Sequence, residues 1–147
     1  MKQLIFSVLL LASVPTFADD TTQAAQVTMS VADQIRASHH GDYADLGNGH
    51  VAVSLPWGEL IAFAGTYPDT QTTHNFGLHI DGIPAGDDNT CERFVLAVAP
   101  RFTDAWIGDA APSAIGESVY RNGHLDRAAL AHACHATPSV GMDLIAD

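Results

Sequence analysis

Two cysteines and eight histidines are the residues of this 147-residue chain best suited to bond-making chemistry. Cys91 and Cys134 could serve as a nucleophile, as metal ligands or as one disulfide, and the redox compartment decides among these. Residues 1–18 carry Lys2, an apolar core from Leu4 to Val14, the helix breaker Pro15, and small residues at Thr16 and Ala18. That pattern predicts a secretory signal peptide cleaved before Asp19, leaving one domain over residues 19–147. An exported protein matures under oxidising conditions, so the even pair is read as a Cys91–Cys134 disulfide. Forty-two residues intervene, and closing such a loop is worth about 4 kcal/mol in the chain-entropy account.

The histidines raise the question of metal. His39 and His40 are adjacent at a predicted helix end, and His132 and His135 stand three apart on a helix around Cys134, a spacing that can bring two imidazoles to one ion. Cys134 is better used on Cys91 and no second close cluster follows, so no dedicated metal site and no cofactor is expected; His132 and His135 stay as the weaker alternative. A hydrolase would need a nucleophile on a sharp turn beside an oriented base. No such turn motif is present, and Ser30, His124 and Asp126 have no interpretable arrangement. The reading is therefore non-enzymatic. Asp87-Asp88-Asn89 has the flavour of a calcium loop but lacks the distal bidentate glutamate, and a helix cap explains it more simply.

Charge narrows the partners. The chain has six basic against seventeen acidic residues, a formal −11, and losing its single lysine with the signal takes this to −12. Such a field repels nucleic acid and anionic lipid, so no nucleic-acid binding is expected. Without a lysine after the signal there is no Schiff-base chemistry and no phosphate-cradling Walker lysine. No later apolar run approaches the roughly 20 residues of a membrane helix, so no transmembrane segment is expected in the mature chain.

The elements that must position these residues follow from periodicity. Val27, Val31 and Ile35, with Ala24 and Ala32 alongside, make the stripe of an amphipathic helix over residues 23–38, ended by Gly41. Residues 41–58 read as an irregular connection pinned by Tyr43, Leu46, Val51, Val53, Leu55 and Trp57, long enough to suggest function. Strands are predicted over 59–66 and 73–81, with turn residues at 67–72. A helix over 90–99 is capped by Asp88 or Asn89, buries Cys91, Phe94, Val95 and Val98, and stops at Pro100. A short strand at 105–107, an alanine-rich helix over 125–135 and a closing strand at 140–145 complete the order. The fold class is α+β, an N-terminal helix packed on a mostly antiparallel sheet, with a disulfide-bounded C-terminal region. Trp57, Trp106 and Tyr43 are read as buried anchors, with an interaction surface as the alternative.

Several local patterns, in order, resemble the globular domain of type IVb pilins of the PilS type. Gln34-Ile35-Arg36 followed by Gly41-Asp42-Tyr43-Ala44-Asp45-Leu46 is similar to their helix-to-loop passage, and Leu55-Pro56-Trp57-Gly58 to the approach to their first strand. Leu78-His79-Ile80-Asp81-Gly82-Ile83-Pro84 and then Cys91-Glu92-Arg93-Phe94-Val95 resemble their strand, Val-Pro and Cys-bearing helix. Arg121-Asn122-Gly123 looks like their turn, and Ala131-His132-Ala133-Cys134 with Met142, Leu144 and Ile145 like their second cysteine and last strand. The similarity spans residues 27–147 in outline. It implies a pilin-like fold and protein–protein function in a pilus, conjugative or secretion system, with other pilin or secretion proteins as partners. One departure limits the carry-over: the family's apolar N-terminal stem and its glycine–glutamate processing site have no counterpart here. The expectation is an accessory, tip or adhesin-like role, periplasmic, secreted or at the cell surface. The rival expectation is a small periplasmic ligand- or metal-binding protein using the histidines.

Overall fold

The computed structural model describes residues 19–65, 73–110 and 116–147. The predicted signal peptide at 1–18 and the predicted turn at 67–72 lie outside the described residues. Helix α1 (Asp20–His39) comes first, followed by strands β1 (His50–Leu55), β2 (Gly58–Ala64) and β3 (Phe76–Pro84), then helix α2 (Thr90–Val98). Strands β4 (Asp104–Asp109), β5 (Glu117–Ser118), β6 (Tyr120–Arg121) and β7 (His124–Leu125), helix α3 (Arg127–His135) and strand β8 (Ser139–Ala146) complete the chain. Among the described residues six strands form one sheet in the order β1-β2-β3-β8-β4-β5, every pairing antiparallel, and β6-β7 form a separate hairpin. The architecture is the expected α+β one.

Strand alternation sorts the sheet into two faces. Leu60 and Ala62 on β2, Leu78 and Ile80 on β3, Met142 and Leu144 on β8, and Ala105 and Ile107 on β4 are buried in one core with residues of all three helices. Their neighbours in sequence point to the opposite face, which carries the candidate site.

Helix α1 begins at Asp19, whose carboxylate accepts from the Thr22 N–H at 2.8 Å and also pairs with Arg93 on α2 at 2.6 Å. It ends at His40 in the left-handed conformation, one residue before the glycine expected to stop it. Its buried face is Thr21, Ala24, Ala25, Thr28, Ala32 and Ile35, with Val27 and Val31 half-buried at its flank. The stripe is thus rotated from the expected valine row, because small residues let α1 lie close against the elements it covers. Arg36 fixes its C-terminal half: the guanidinium sits 5.6 Å from the Phe76 ring centre and donates to main-chain oxygens of Asp147 and Arg101.

The connection over 41–58 is not irregular throughout. Val51, Val53 and Leu55 belong to β1, and Pro56-Trp57 make the tight turn into β2. The dense Gly and Asn residues before His50 obscure that alternation in the sequence. Trp57 anchors the turn, its ring edge-on to Phe94 of α2 at 5.5 Å. Tyr43 is buried against Phe76 at 4.7 Å, while half-buried Trp106 lies on β4, in the strand expected over 105–107. Asp126 caps α3 by accepting from the N–H groups of Ala128 and Ala129, so that helix starts two residues later than expected. The Asn122-Gly123 turn joins β6 to β7 with both residues at positive φ, as a two-residue hairpin turn of this composition requires.

Candidate interaction surface

The face of the sheet turned away from the core carries one row of side chains that crosses all six strands. Register places Val51 opposite Ile61, Ile61 opposite His79, His79 opposite Asp143, Asp143 opposite Trp106, and Trp106 opposite Ser118. In the centre, His79 Nδ1–H donates to Asp143 Oδ1 at 2.6 Å and Nε2–H donates to Asp81 Oδ2 at 3.0 Å. Both ring nitrogens face carboxylate oxygens, which only accept, so the arrangement is satisfied by an imidazolium and by neither neutral tautomer. The Asp143 hydrogen bond, reinforced by Asp81 against partial burial, raises the His79 pKa from 6.5 to about 9.

Backbone geometry makes room for this group. Gly82, at φ +79°, lies at the irregularity where the β3–β8 register shifts, just beyond Asp81. A Cβ on Gly141 would stand 2.8 Å from Asp81 Oδ1, so the glycine leaves the carboxylate free to reach His79. On the adjoining row the Phe63 ring lies across Gly77, where an added Cβ would come within 2.0 Å of it, and Ile145 flanks the same glycine. Ser118 shares the His79 row, but its hydroxyl donates to Asp104 at 2.6 Å, as does the Trp106 indole at 3.0 Å. Its hydrogen bond therefore runs to Asp104, not to the imidazole.

The second cluster lies at the disulfide. Cys91 on α2 and Cys134 on α3 are bonded, with Cα atoms 5.6 Å apart. The residues that follow each cysteine meet as well: His135 Nε2–H donates to Glu92 at 2.9 Å, while Nδ1–H donates to the Gly86 carbonyl. That carbonyl first, and Glu92 second, hold the His135 pKa above its ordinary value. A covalent bond and an ionic contact together join α2, α3 and the loop after β3.

The sequence-predicted residues divide accordingly. Cys91 and Cys134 meet. His135 is engaged by Gly86 and Glu92, and His39 turns its Nδ1 to the Ile35 carbonyl at 3.0 Å. Among the described residues no group of three or more His, Cys, Asp or Glu is placed to hold a metal. Asp88 accepts from the Thr90 N–H at 2.7 Å at the start of α2, the capping role expected of it, while Asn89 makes no side-chain cap bond. Ser30, His124 and Asp126 lie on separate elements. Sequence reasoning missed the His79, Asp81 and Asp143 group, although the two-residue spacing of His79 and Asp81 on a strand already placed them on one face. No helix of the described residues is long and apolar enough to cross a membrane. No family model matches the chain, and no curated protein matches it.

Proposed function

We propose that this chain is an exported, non-enzymatic domain of the type IVb pilin kind, an accessory or minor component of a pilus, conjugative or secretion system acting through protein–protein contacts. The observation that carries the reading is the order of parts. One long helix precedes an antiparallel sheet, the last strand enters the middle of that sheet between β3 and β4, and a disulfide staples the two helices that precede it. The motifs that resemble the pilin domain fall in that order on those elements. The disulfide is compatible with an oxidising, periplasmic or extracellular setting. The regions proposed for contact are residues 41–58 and the region between Cys91 and Cys134.

The test is association in the native host. A tagged chain should band with sheared surface filaments or with secretion complexes, in amounts well below a major subunit. Its absence from both fractions, with filaments intact, would remove the proposal. Zinc calorimetry separates the histidine-based rival: stoichiometric binding at micromolar concentrations, lost on substitution of His132 or His135, would favour a metal-binding protein instead.

A further inference from the structure

Strand β1 occupies one edge of the sheet and pairs on one side only, with β2; no other described residue hydrogen-bonds to its backbone. The opposite edge, β5, is two residues long and offers little to a partner. Natural edges are usually blunted by lysine, inward charges, proline or a bulge. β1, His-Val-Ala-Val-Ser-Leu, has no lysine, arginine or carboxylate, and proline arrives only at Pro56, after the strand ends. Val51, 50 % exposed, is the one large apolar side chain left open among the described residues. Beside the strand, between it and the C-terminal half of α1, runs a groove of about 390 Å³ floored by Val31, Ile35, Leu46 and Ala62. Its described lining includes one carboxylate, Asp45, two histidines, His39 and His50, and no lysine or arginine.

We propose that β1 accepts an added strand: an extended segment of a partner protein, rich in β-branched residues and bearing lysine or arginine, pairs with the edge and seats side chains in the groove. Main-chain hydrogen bonds supply the attraction and the groove supplies selectivity. Charge complementarity identifies the occupant. A second copy would bring a formal −11 against −11, whereas a cationic strand is drawn in by the same field. The register shift between Val51 and Val53 bends this edge, which suits one short pairing and opposes open-ended strand growth. This inference rests on the protein-contact reading above and names its surface.

The test uses a synthetic seven-residue peptide, acetyl-Lys-Val-Thr-Val-Thr-Val-Lys-amide, titrated into the ¹⁵N-labelled full chain. Saturable shifts and slowed amide exchange should be confined to β1 and to the groove around Ile35 and Leu46. Val51→Lys, which places a charge on the exposed edge, should weaken binding by about tenfold or more, and Val51→Thr by less than about threefold. A peptide methylated on alternate amides should lose binding as Val51→Lys does. Equal binding by the methylated peptide, shifts centred on the disulfide end, or no saturation at millimolar peptide would overturn the inference. Dimerisation of the chain alone, abolished by Val51→Lys, would overturn the choice of occupant. Filament association retained by Val51→Lys would overturn β1 as the partner surface while leaving the accessory role standing. Peptide binding by a chain that never associates with filaments would support strand addition and remove only the accessory role.

Discussion

Raising the pH through the titration of His79 should loosen this domain, by an amount that follows from its two carboxylates. The folded-state pKa of about 9 exceeds the 6.5 of an unperturbed histidine, so between those values the folded chain holds a proton that the unfolded chain has released. The site's stabilisation is complete below about pH 6.5, declines as pH rises from 6.5 to 9, and is gone above. At 1.36 kcal/mol per unit the full shift corresponds to about 3.4 kcal/mol. One third of the His79 side chain and more than half of the Asp81 side chain are open to solvent, and screening there reduces the expected contribution to about 2 kcal/mol. Urea unfolding of the wild type and His79→Gln at pH 6, 7.5 and 9.5 measures it. The difference between the two proteins should shrink with rising pH, which cancels contributions from other groups such as His135. Asp143→Asn should lower the imidazole pKa more than Asp81→Asn, since its hydrogen bond is the larger cause. A pH-independent difference, or an imidazole NMR titration of His79 near 6.5, would refute the two-carboxylate clamp.

Thiol labelling of the unreduced, denatured chain should find no free cysteine, and Cys91→Ser or Cys134→Ser should destabilise by about 2 to 5 kcal/mol in chemical unfolding. Ile35→Asp places a carboxylate in the core and should cost several kcal/mol, whereas Gln26→Asp on the exposed side of α1 should cost well under about 1 kcal/mol; equal costs would mean that the helix is packed in another rotation. Thr28 Oγ1 is buried without a hydrogen-bond partner, so Thr28→Val should raise stability by about 1 kcal/mol, and a loss of that size would show a partner for the hydroxyl. Gly77→Ala drives a methyl group into the Phe63 ring and should cost about 1 to 3 kcal/mol, which Phe63→Leu in the same chain should partly restore.

Much of the fold was legible because it is written in local periodicity. Leu78 and Ile80 alternate against Gly77 and His79, and Phe94, Val95 and Val98 share a helical face ended by Pro100, whatever lies across from them. The rotation of α1 was less legible. Valine outranks alanine and threonine as an apolar signal, yet the closest approach belongs to Ala24, Ala32 and Thr28, whose small size matters only once a neighbouring element is known. Strand β1 was hidden for a related reason. Its Val-x-Val-x-Leu alternation is short and follows Gly47-Asn48-Gly49, residues that by themselves argue for a turn.

The His79 group shows where single-sequence reading reaches its limit. His79 and Asp143 are 64 residues apart and meet only because β8 enters the sheet beside β3 in one register. A slip of one residue would turn Asp143 into the core and Leu144 out of it, so the hydrophobic pattern that fixes the strand also fixes the ion pair. The cation is therefore a readout of correct β3–β8 pairing. It also places a charged, hydrogen-bonded group at the centre of a face flanked by Ile61, Phe63, Ile145 and Trp106. Phe63 and Ile145 are themselves buried, so an apolar residue at position 79 would add open apolar surface only beside the half-buried Ile61 and Trp106. Among the described residues Val51 of β1 is the one large apolar side chain that stands open, beside a groove lined by Asp45, His39 and His50. The imidazolium between Asp81 and Asp143 keeps the centre of this face polar.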